Sequence, residues 1–198
     1  MTKILDSKYL EQVSTLIDIV SLMSNDSRFA IKGGTAINLF LFNMPRLSVD
    51  IDLCYLPFTS REQALDDIKG FIKDLAQKVT SLGFKTREKQ SAVGYESTLF
   101  ILTKRIEVKV EINLVVRGSV YKPVIRSLAA EAKKVFKRDV DMLCLATDDL
   151  FAGKICAALD RQHPRDFFDL YMYFNQFTYT KELHQAFIVY LLSCKRPI

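Results

Sequence analysis

The spacing of apolar residues predicts a chain in which strands and helices alternate up to about residue 145 and helices alone follow. Apolar positions three and four residues apart predict amphipathic helices, whereas alternation or short apolar runs between turn residues predict strands. The predicted helices are Lys8–Met23, Thr35–Phe42, Glu62–Leu82, Thr147–Leu159, Arg165–Phe174 and Lys181–Leu192. The predicted strands are Phe29–Lys32, Val49–Leu56, Ser97–Thr103, Ile106–Val116 and Val135–Leu145. We therefore expect an α/β (α+β) fold with a core in residues 1–145 and a C-terminal helical subdomain in residues 146–198. The apolar last turn suits either a natural end or a longer helical domain.

Two aspartates lie two positions apart on the predicted strand Val49–Leu56. Because successive strand side chains point to opposite faces, Asp50 and Asp52 share one face while Ile51 and Leu53 point into the core. Neighbouring carboxylates repel each other unless a cation lies between them. Mg²⁺ prefers such oxygen ligands and usually brings substrate phosphates. Taken alone, the two acids fit a solvated strand edge better than a functional site.

A Gly-Gly-Thr motif upstream favours a functional site over a solvated strand edge. Gly33 and Gly34 form a predicted turn, and Thr35 opens a short apolar helix. Glycine lets backbone N–H groups approach a phosphate closely, and a helix N-terminus favours negative charge. Together with the two aspartates, the motif predicts a metal–triphosphate site. Arg46 and Ser48, just before the acid strand, are placed either to contact the nucleotide or to orient the loop.

A third acid is expected on the strand Ile106–Val116, because two-metal phosphoryl transfer commonly uses one more strand-borne carboxylate. This strand alternates apolar and polar residues, so Glu107, Lys109 and Glu111 share its polar face. Glu111 is the first candidate and Glu107 the second. A solvated hairpin face explains either residue taken alone.

Lys154 and Asp166 are the candidates in the helical subdomain. Lys154 lies in an otherwise apolar helix, where it either extends along the surface to solvent or binds phosphate as a compact charge. Asp166 lies in the first turn of the next predicted helix, on the same face as Asp169. Acids also suit helix N-termini without any further role. Both roles stay open for Asp166, whereas Asp169 is predicted to be structural.

Composition narrows the class of protein without identifying its activity. The 198 residues are 49% hydrophobic and 26% charged, which is typical of a globular protein. We expect a cytoplasmic protein without a membrane partner, because no apolar run reaches the length of a membrane span and the N-terminus lacks the form of a signal peptide. The net charge of +5 supports a nucleic-acid partner only weakly. Basic residues cluster at Lys85, Arg87 and Lys89, at Lys104 and Arg105, and at Lys133, Lys134, Lys137 and Arg138.

In combination, the motifs resemble a known family of nucleotidyltransferases. The sequence contains Gly33-Gly34-Thr35-Ala36, Arg46-x-Ser48-x-Asp50-Ile51-Asp52, Lys109-x-Glu111, Lys154 in an apolar helix, and Arg165-Asp166-x-x-Asp169. This order resembles the AbiEii/AbiGii toxin family, within the DNA polymerase β-like nucleotidyltransferase superfamily, over about residues 29–170. The joint pattern is specific, although each motif alone is weak.

The resemblance implies a minimal nucleotidyltransferase fold, with a mixed sheet flanked by helices, followed by the helical subdomain. It implies an enzyme that transfers an NMP from an NTP to an acceptor hydroxyl, with Mg²⁺ (or Mn²⁺) as cofactor. Family members are typically toxins of bacterial toxin–antitoxin or abortive-infection systems. Some relatives modify the 3′ end of tRNA, which blocks aminoacylation and halts translation. The implied partners are an NTP, an RNA acceptor and a cognate antitoxin, expected to be a transcriptional regulator.

The resemblance also implies roles for individual residues. The implied triphosphate-binding residues are Gly33, Gly34 and Thr35, with Arg46, Ser48 and Lys154 as further candidates for nucleotide contact. The implied catalytic residues are Asp50, Asp52, Glu111, Lys154 and Asp166, of which Asp50, Asp52 and Glu111 are the metal ligands.

Two features depart from the family pattern, and two alternative functions stay open. Many members carry a larger helical part after the position of residue 170, and the third acid is glutamate where the superfamily often has aspartate. One alternative is a nucleotidyltransferase acting on a protein or small-molecule acceptor, because the fold does not fix the substrate. The other is a non-catalytic nucleotide-binding module, against which the joint presence of Asp50, Asp52, Lys154 and Asp166 argues.

Overall fold

A computed structural model of the chain describes residues 7–90, 96–113 and 117–194. The helices are α1 (Ser7–Met23), α2 (Gly33–Thr35), α3 (Arg61–Ser81), α4 (Ala130–Phe136), α5 (Thr147–Arg161), α6 (Pro164–Phe174) and α7 (Lys181–Leu192). The strands are β1 (Phe29–Lys32), β2 (Asp50–Tyr55), β3 (Lys85–Gln90), β4 (Glu96–Leu102), β5 (Glu107–Asn113), β6 (Val124–Ser127) and β7 (Asp141–Cys144). Helix α2 continues directly into a π-helical segment, Ala36–Leu41.

The strands form one mixed sheet in the order β3-β4-β5-β2-β1-β7-β6. Strand β2 pairs parallel with β5 and antiparallel with β1, and β1 pairs parallel with β7. Antiparallel pairs extend the sheet at both sides, through β4 and β3 on one side and through β6 on the other. The mixed sheet flanked by helices that the sequence predicted is therefore confirmed.

The two faces of the central strands differ in burial as their alternation predicted. Ile51 and Leu53 of β2 and Val110 and Ile112 of β5 are fully buried in the hydrophobic core. Helices α1 and α3 contact the sheet and each other, and their apolar sides belong to the same core. Removing these strand side chains from water is a main source of stability, about 2 kcal/mol for each large aliphatic side chain. The acidic residues of both strands are left on the opposite face.

The region predicted as the strand Val135–Leu145 instead contains the end of α4, a loop and the shorter strand β7. Ala132 and Phe136, four residues apart, are buried from α4, whereas Met142 and Cys144, two residues apart, are buried from β7. The prediction merged the apolar residues of two elements into one run. The break between them lies at Lys137, whose left-handed backbone (φ 52°) ends α4.

Strands β3 and β6 were not predicted, because neither has an apolar alternation. Strand β3 reads Lys-Thr-Arg-Glu-Lys-Gln and forms one edge of the sheet by pairing with β4. Strand β6 forms the other edge, and its Val124 and Ile125 are exposed. Residues 114–116, at the end of the strand predicted to reach Val116, lie outside the described residues.

Helices α5, α6 and α7 follow the last strand, and α5 packs against both of the others. Buried Asp149 of α5 accepts hydrogen bonds from the backbone N–H groups of Val120 and Tyr121 and from the hydroxyl of Tyr190. These contacts join α5 to α7 and to the loop before β6. The domain boundary near residue 145 stays a prediction. Within the described ranges, no helix has the length and apolar character needed to cross a membrane.

Candidate nucleotidyl-transfer site

The start of α2 brings the Gly-Gly motif against the acid strand. Gly33 has φ +68°, a conformation that L side chains rarely adopt, and a Cβ there would lie 2.4 Å from Oδ2 of Asp52. Only glycine fits this position without a shift of backbone or carboxylate. The glycines form the first turn of the helix, whereas the sequence placed them in a turn before a helix starting at Thr35.

The second glycine lies against the loop that precedes β2. A Cβ on Gly34 would meet Ser48 Oγ at 2.8 Å and Arg46 Nη2 at 2.9 Å. Arg46 and Ser48 therefore line the glycine turn from outside, at the place where the sequence predicted nucleotide contacts. The packing also fits the alternative role of these two residues, since both hold the loop against α2.

Thr35 ties the glycine turn to the acid strand. Its side chain is fully buried, and its hydroxyl donates a hydrogen bond to the backbone carbonyl of Asp50 at 2.5 Å. This contact fixes the position of Asp50 relative to Gly33 and Gly34. The prediction that Thr35 holds the triphosphate stays a prediction, and its hydroxyl is already engaged.

The register of β2 and β5 separates the two candidates for the third acid. Glu111 lies directly opposite Asp52, and Lys109 lies opposite Asp50. Glu107 is four residues earlier, about 13 Å along the strand, and its carboxylate is 3.5 Å from the guanidinium of Arg87. The fold therefore brings Glu111 beside the aspartates and leaves Glu107 near the far end of β5.

The carboxylates around Asp52 leave its side chain in a region of excess negative charge. Burial raises the pKa of this carboxyl, and the nearby charges of Glu111 and Asp50 raise it further, against the opposing effect of Lys32 and Lys109. Lys109 is 2.9 Å from Oε2 of Glu111. Burial would lower the pKa of Lys109, but its bond to Glu111 and the charges of the aspartates outweigh this and raise the pKa.

The donor set fits a hard divalent cation. Asp50 and Asp52 project from one face of β2 beside Glu111, and all three offer carboxylate oxygens. Among the described residues, no three Asp, Glu, His or Cys side chains are already close enough to enclose an ion. Mg²⁺ does not require such a cage, because it usually binds one or two carboxylates together with waters and substrate phosphates.

A buried ion-pair network joins the helices to the glycine turn. The Lys154 ammonium lies 2.9 Å from Asp166 Oδ1 and 3.1 Å from Asp169 Oδ2, and all three side chains are at most 6% exposed. Asp169 also accepts two hydrogen bonds from Arg46, at 2.8 and 2.6 Å. Asn38 donates both to Asp169 and to the backbone carbonyl of Gly34. Asp169 thus has the structural role that the sequence predicted.

The same network restricts the contacts that the Lys154 ammonium can make. Its ammonium is held between two carboxylates, so it is not directed into open solvent as a phosphate ligand would be before binding. The prediction that Lys154 contacts phosphate stays a prediction, and it requires the ammonium to exchange or share its carboxylate partners.

Arg161 is a further charged residue at this site that the sequence reasoning did not select. Its guanidinium donates hydrogen bonds to both oxygens of Asp166, at 2.7 and 3.0 Å, yet the side chain is 60% exposed. Burial would raise the pKa of Asp166, but the bonds from Arg161 and Lys154 outweigh it and lower the pKa to about 2. Asp52 also contributes to the raised pKa of Arg161. Arg161 ends α5 in a polar stretch with no periodicity that would single it out.

Comparisons with known proteins agree with this fold. The structure is similar to MenT4, a nucleotidyltransferase toxin from Mycobacterium tuberculosis H37Rv, with a TM-score of 0.69 and 15% sequence identity. The match covers 93% of this chain and 66% of the MenT4 chain, and at this identity it shows the shared fold alone. No curated protein matches the chain in sequence. The family model described as nucleotidyl transferase AbiEii toxin, type IV toxin–antitoxin system, matches residues 16–198. Because that match spans most of the chain, the protein belongs to the AbiEii nucleotidyltransferase toxin family.

Proposed function

We propose that the protein is the toxin of a type IV toxin–antitoxin system and acts as a Mg²⁺-dependent nucleotidyltransferase. It moves an NMP from an NTP to an acceptor hydroxyl, and the proposed acceptor is the 3′ end of tRNA. The observation that carries this proposal is the position of Gly33, where an added Cβ would collide with the Asp52 carboxylate, with Glu111 in register beside Asp52. The glycine turn and three carboxylates lie within one small region of the sheet.

The proposed roles follow from where each group lies. The backbone of Gly33 and Gly34 receives the triphosphate, because glycine lets backbone N–H groups approach a phosphate closely at the start of a helix. Asp50 and Asp52 hold the divalent ion, and Glu111 is the third ligand. When bound, Mg²⁺ neutralises phosphate charge and orients the α-phosphate for in-line attack.

The chemistry of the transfer uses the chain's own acids and bases. The acceptor oxygen bonds to the α-phosphorus as the bond to the β-phosphate breaks, and pyrophosphate leaves. Glu111 lies on the polar face beside Asp52, where its carboxylate can accept the proton of the acceptor hydroxyl. Arg161, exposed and close enough to influence Asp52, stabilises the charge that develops on pyrophosphate, together with Lys154.

Asp166 acts in this proposal through the two cations that it holds. Its carboxylate is almost fully buried and bonded to both Lys154 and Arg161. Loss of Asp166 would therefore release both cations from their positions. The family membership supports a cognate antitoxin as the protein partner, and we propose that it limits the transfer activity in the cell.

The test is to incubate the protein with each α-³²P-labelled NTP, Mg²⁺ and total bacterial tRNA. We expect label on RNA with at least one NTP, and none with the Asp50→Ala variant. The matched control is Asp139→Asn, which removes an exposed carboxylate bonded to Lys133 and should transfer normally. Label that persists in Asp50→Ala would overturn the assigned site. Calorimetric NTP binding without any labelled RNA would reject tRNA as acceptor and point to a protein or small molecule.

A further inference from the structure

The register of the sheet places a row of basic and aromatic side chains beside the acids. Across β3, β4, β5 and β2, Arg87 pairs with Phe100, Phe100 with Lys109, and Lys109 with Asp50. Directly paired residues project to the same face of a sheet. The row therefore runs from the edge strand to Asp50, about 14 Å across three strand spacings.

A second row runs parallel to the first. Lys89 of β3 pairs with Thr98 of β4, Thr98 with Glu111 of β5, and Glu111 with Asp52. Lys89 is exposed. The two rows together form what we call the open sheet face, defined by its accessible residues Arg87, Lys89, Phe100, Lys109 and Glu111. Thr98, between Lys89 and Glu111, is buried. It is the face opposite to the one that α1 and α3 cover.

Contacts on this face join the basic edge strand to the aromatic ring of β4. The Arg87 guanidinium lies 4.2 Å from the centre of the Phe100 ring, and it also approaches Glu107 at 3.5 Å. The Arg87 side chain is 58% exposed and Phe100 is partly exposed. Planar guanidinium and aromatic groups are the surfaces on which unpaired nucleic-acid bases stack.

We propose that the open sheet face binds the single-stranded end of an RNA acceptor and leads its terminal hydroxyl to Asp50 and Glu111. Phe100 and Arg87 stack the bases, and Arg87 and Lys89 contact the phosphates. This assignment rests on the proposed transfer to RNA, and it adds the surface that receives the acceptor.

The charge and the width of the open sheet face favour single-stranded RNA over base-paired RNA. Cations at the β3 edge complement a phosphate backbone, and the acids that require a metal ion lie only at the opposite end of each row. The width of the face suits about two or three stacked bases, as on other RNA-binding sheets. A base-paired duplex presents no free base faces for Phe100, so the aromatic ring would add nothing to its binding.

The test measures RNA binding separately from transfer. Fluorescence anisotropy with a labelled single-stranded RNA of about 10 nucleotides is compared for wild type, Phe100→Ala, Phe100→Tyr and the double variant Arg87→Ala/Lys89→Ala. The matched control is Lys133→Ala/Lys134→Ala, which removes the same charge from α4, the helix between β6 and β7 in the chain. Thermal melting and calorimetric NTP binding confirm that each variant is folded with an intact nucleotide site.

We expect Phe100→Ala to weaken RNA binding by about 5- to 150-fold, the effect of removing one base–aromatic stack. Phe100→Tyr keeps an aromatic ring and should bind RNA as wild type does. The Arg87/Lys89 double variant should lower the slope of log affinity against log salt by about 0.7 for each phosphate that the protein no longer neutralises. An equal weakening in the α4 control, or wild-type binding by the Phe100 and Arg87/Lys89 variants, would overturn the proposal. A wild-type protein that binds RNA through this face yet transfers no label would refute the proposed function and leave the binding surface standing.

Discussion

Replacing Asp169 by asparagine should destabilise the protein far more than replacing an exposed carboxylate. The Asp169 side chain is 1% exposed and lies 2.6 Å from Arg46 and 3.1 Å from Lys154. Asparagine keeps the size but removes the charge, so both cations lose a buried anionic partner. Removing one partner of a buried ion pair costs about 3–5 kcal/mol. Because Arg46 is 15% exposed, we expect the lower end, about 3 kcal/mol.

For a chain of this length, that loss corresponds to a fall of about 6–12 °C in the melting temperature. Circular dichroism melts and urea unfolding measure it. The control is Asp139→Asn, because Asp139 is 69% exposed and makes a 2.6 Å ion pair with Lys133. An exposed pair contributes less than about 1 kcal/mol. Similar shifts in the two variants would show that the buried network does not stabilise the fold as argued.

A double-mutant cycle tests whether Arg46 and Asp169 act as a unit. Replacing a buried ion pair by apolar residues is often neutral, whereas replacing one member leaves an uncompensated charge. The pair Arg46→Met and Asp169→Leu should therefore cost less together than the sum of the single changes. Additivity within about 0.5 kcal/mol would contradict direct coupling between these two side chains.

Three further outcomes are expected. Asp52→Asn should abolish transfer yet raise the melting temperature near neutral pH, because the raised pKa of Asp52 makes its ionised carboxylate unfavourable in the folded state. The difference in melting temperature between variant and wild type should shrink as the pH falls towards 3.8, the ordinary pKa of an aspartate. Melting scans against pH measure it, and a lower melting temperature in the variant would contradict it. Gly33→Ala should reduce both transfer and stability, whereas Gly70→Ala, with open space around its Cβ in α3, should stabilise by about 0.5–1 kcal/mol. Mg²⁺ added with NTP should raise the melting temperature of wild type but not of Asp50→Ala, since only a bound ligand stabilises the folded state.

The local sequence pattern was sufficient to predict those parts of the site that lie on a single strand or helix. The alternation of β2 placed Asp50 and Asp52 on one face, and the alternation of β5 placed Glu111 on its polar face, because side-chain direction in a strand depends only on sequence position. Helices α1, α3 and α7 were recognised within one residue at each end for the same reason.

The elements that were missed or merged lack such a pattern. Strand β3 is polar throughout and exists through its pairing with β4, and the run Val135–Leu145 divides between α4 and β7. Neither outcome follows from the local spacing of apolar residues. Both depend on which other segment of the chain packs against these residues in the fold.

The sequence by itself determined the mixed α/β order, the buried faces of the main elements, and the residue types of the proposed metal–triphosphate site. The tertiary structure alone decided the partners: Glu111 rather than Glu107 beside Asp52, and Arg46 bonded to Asp169 across 123 positions of the chain. It also assigned Lys154 to two buried carboxylates and left Arg161 largely exposed beside Asp166. The physical reason is that periodicity reports which side of an element is buried, whereas the identity of a charged partner depends on how distant segments pack together.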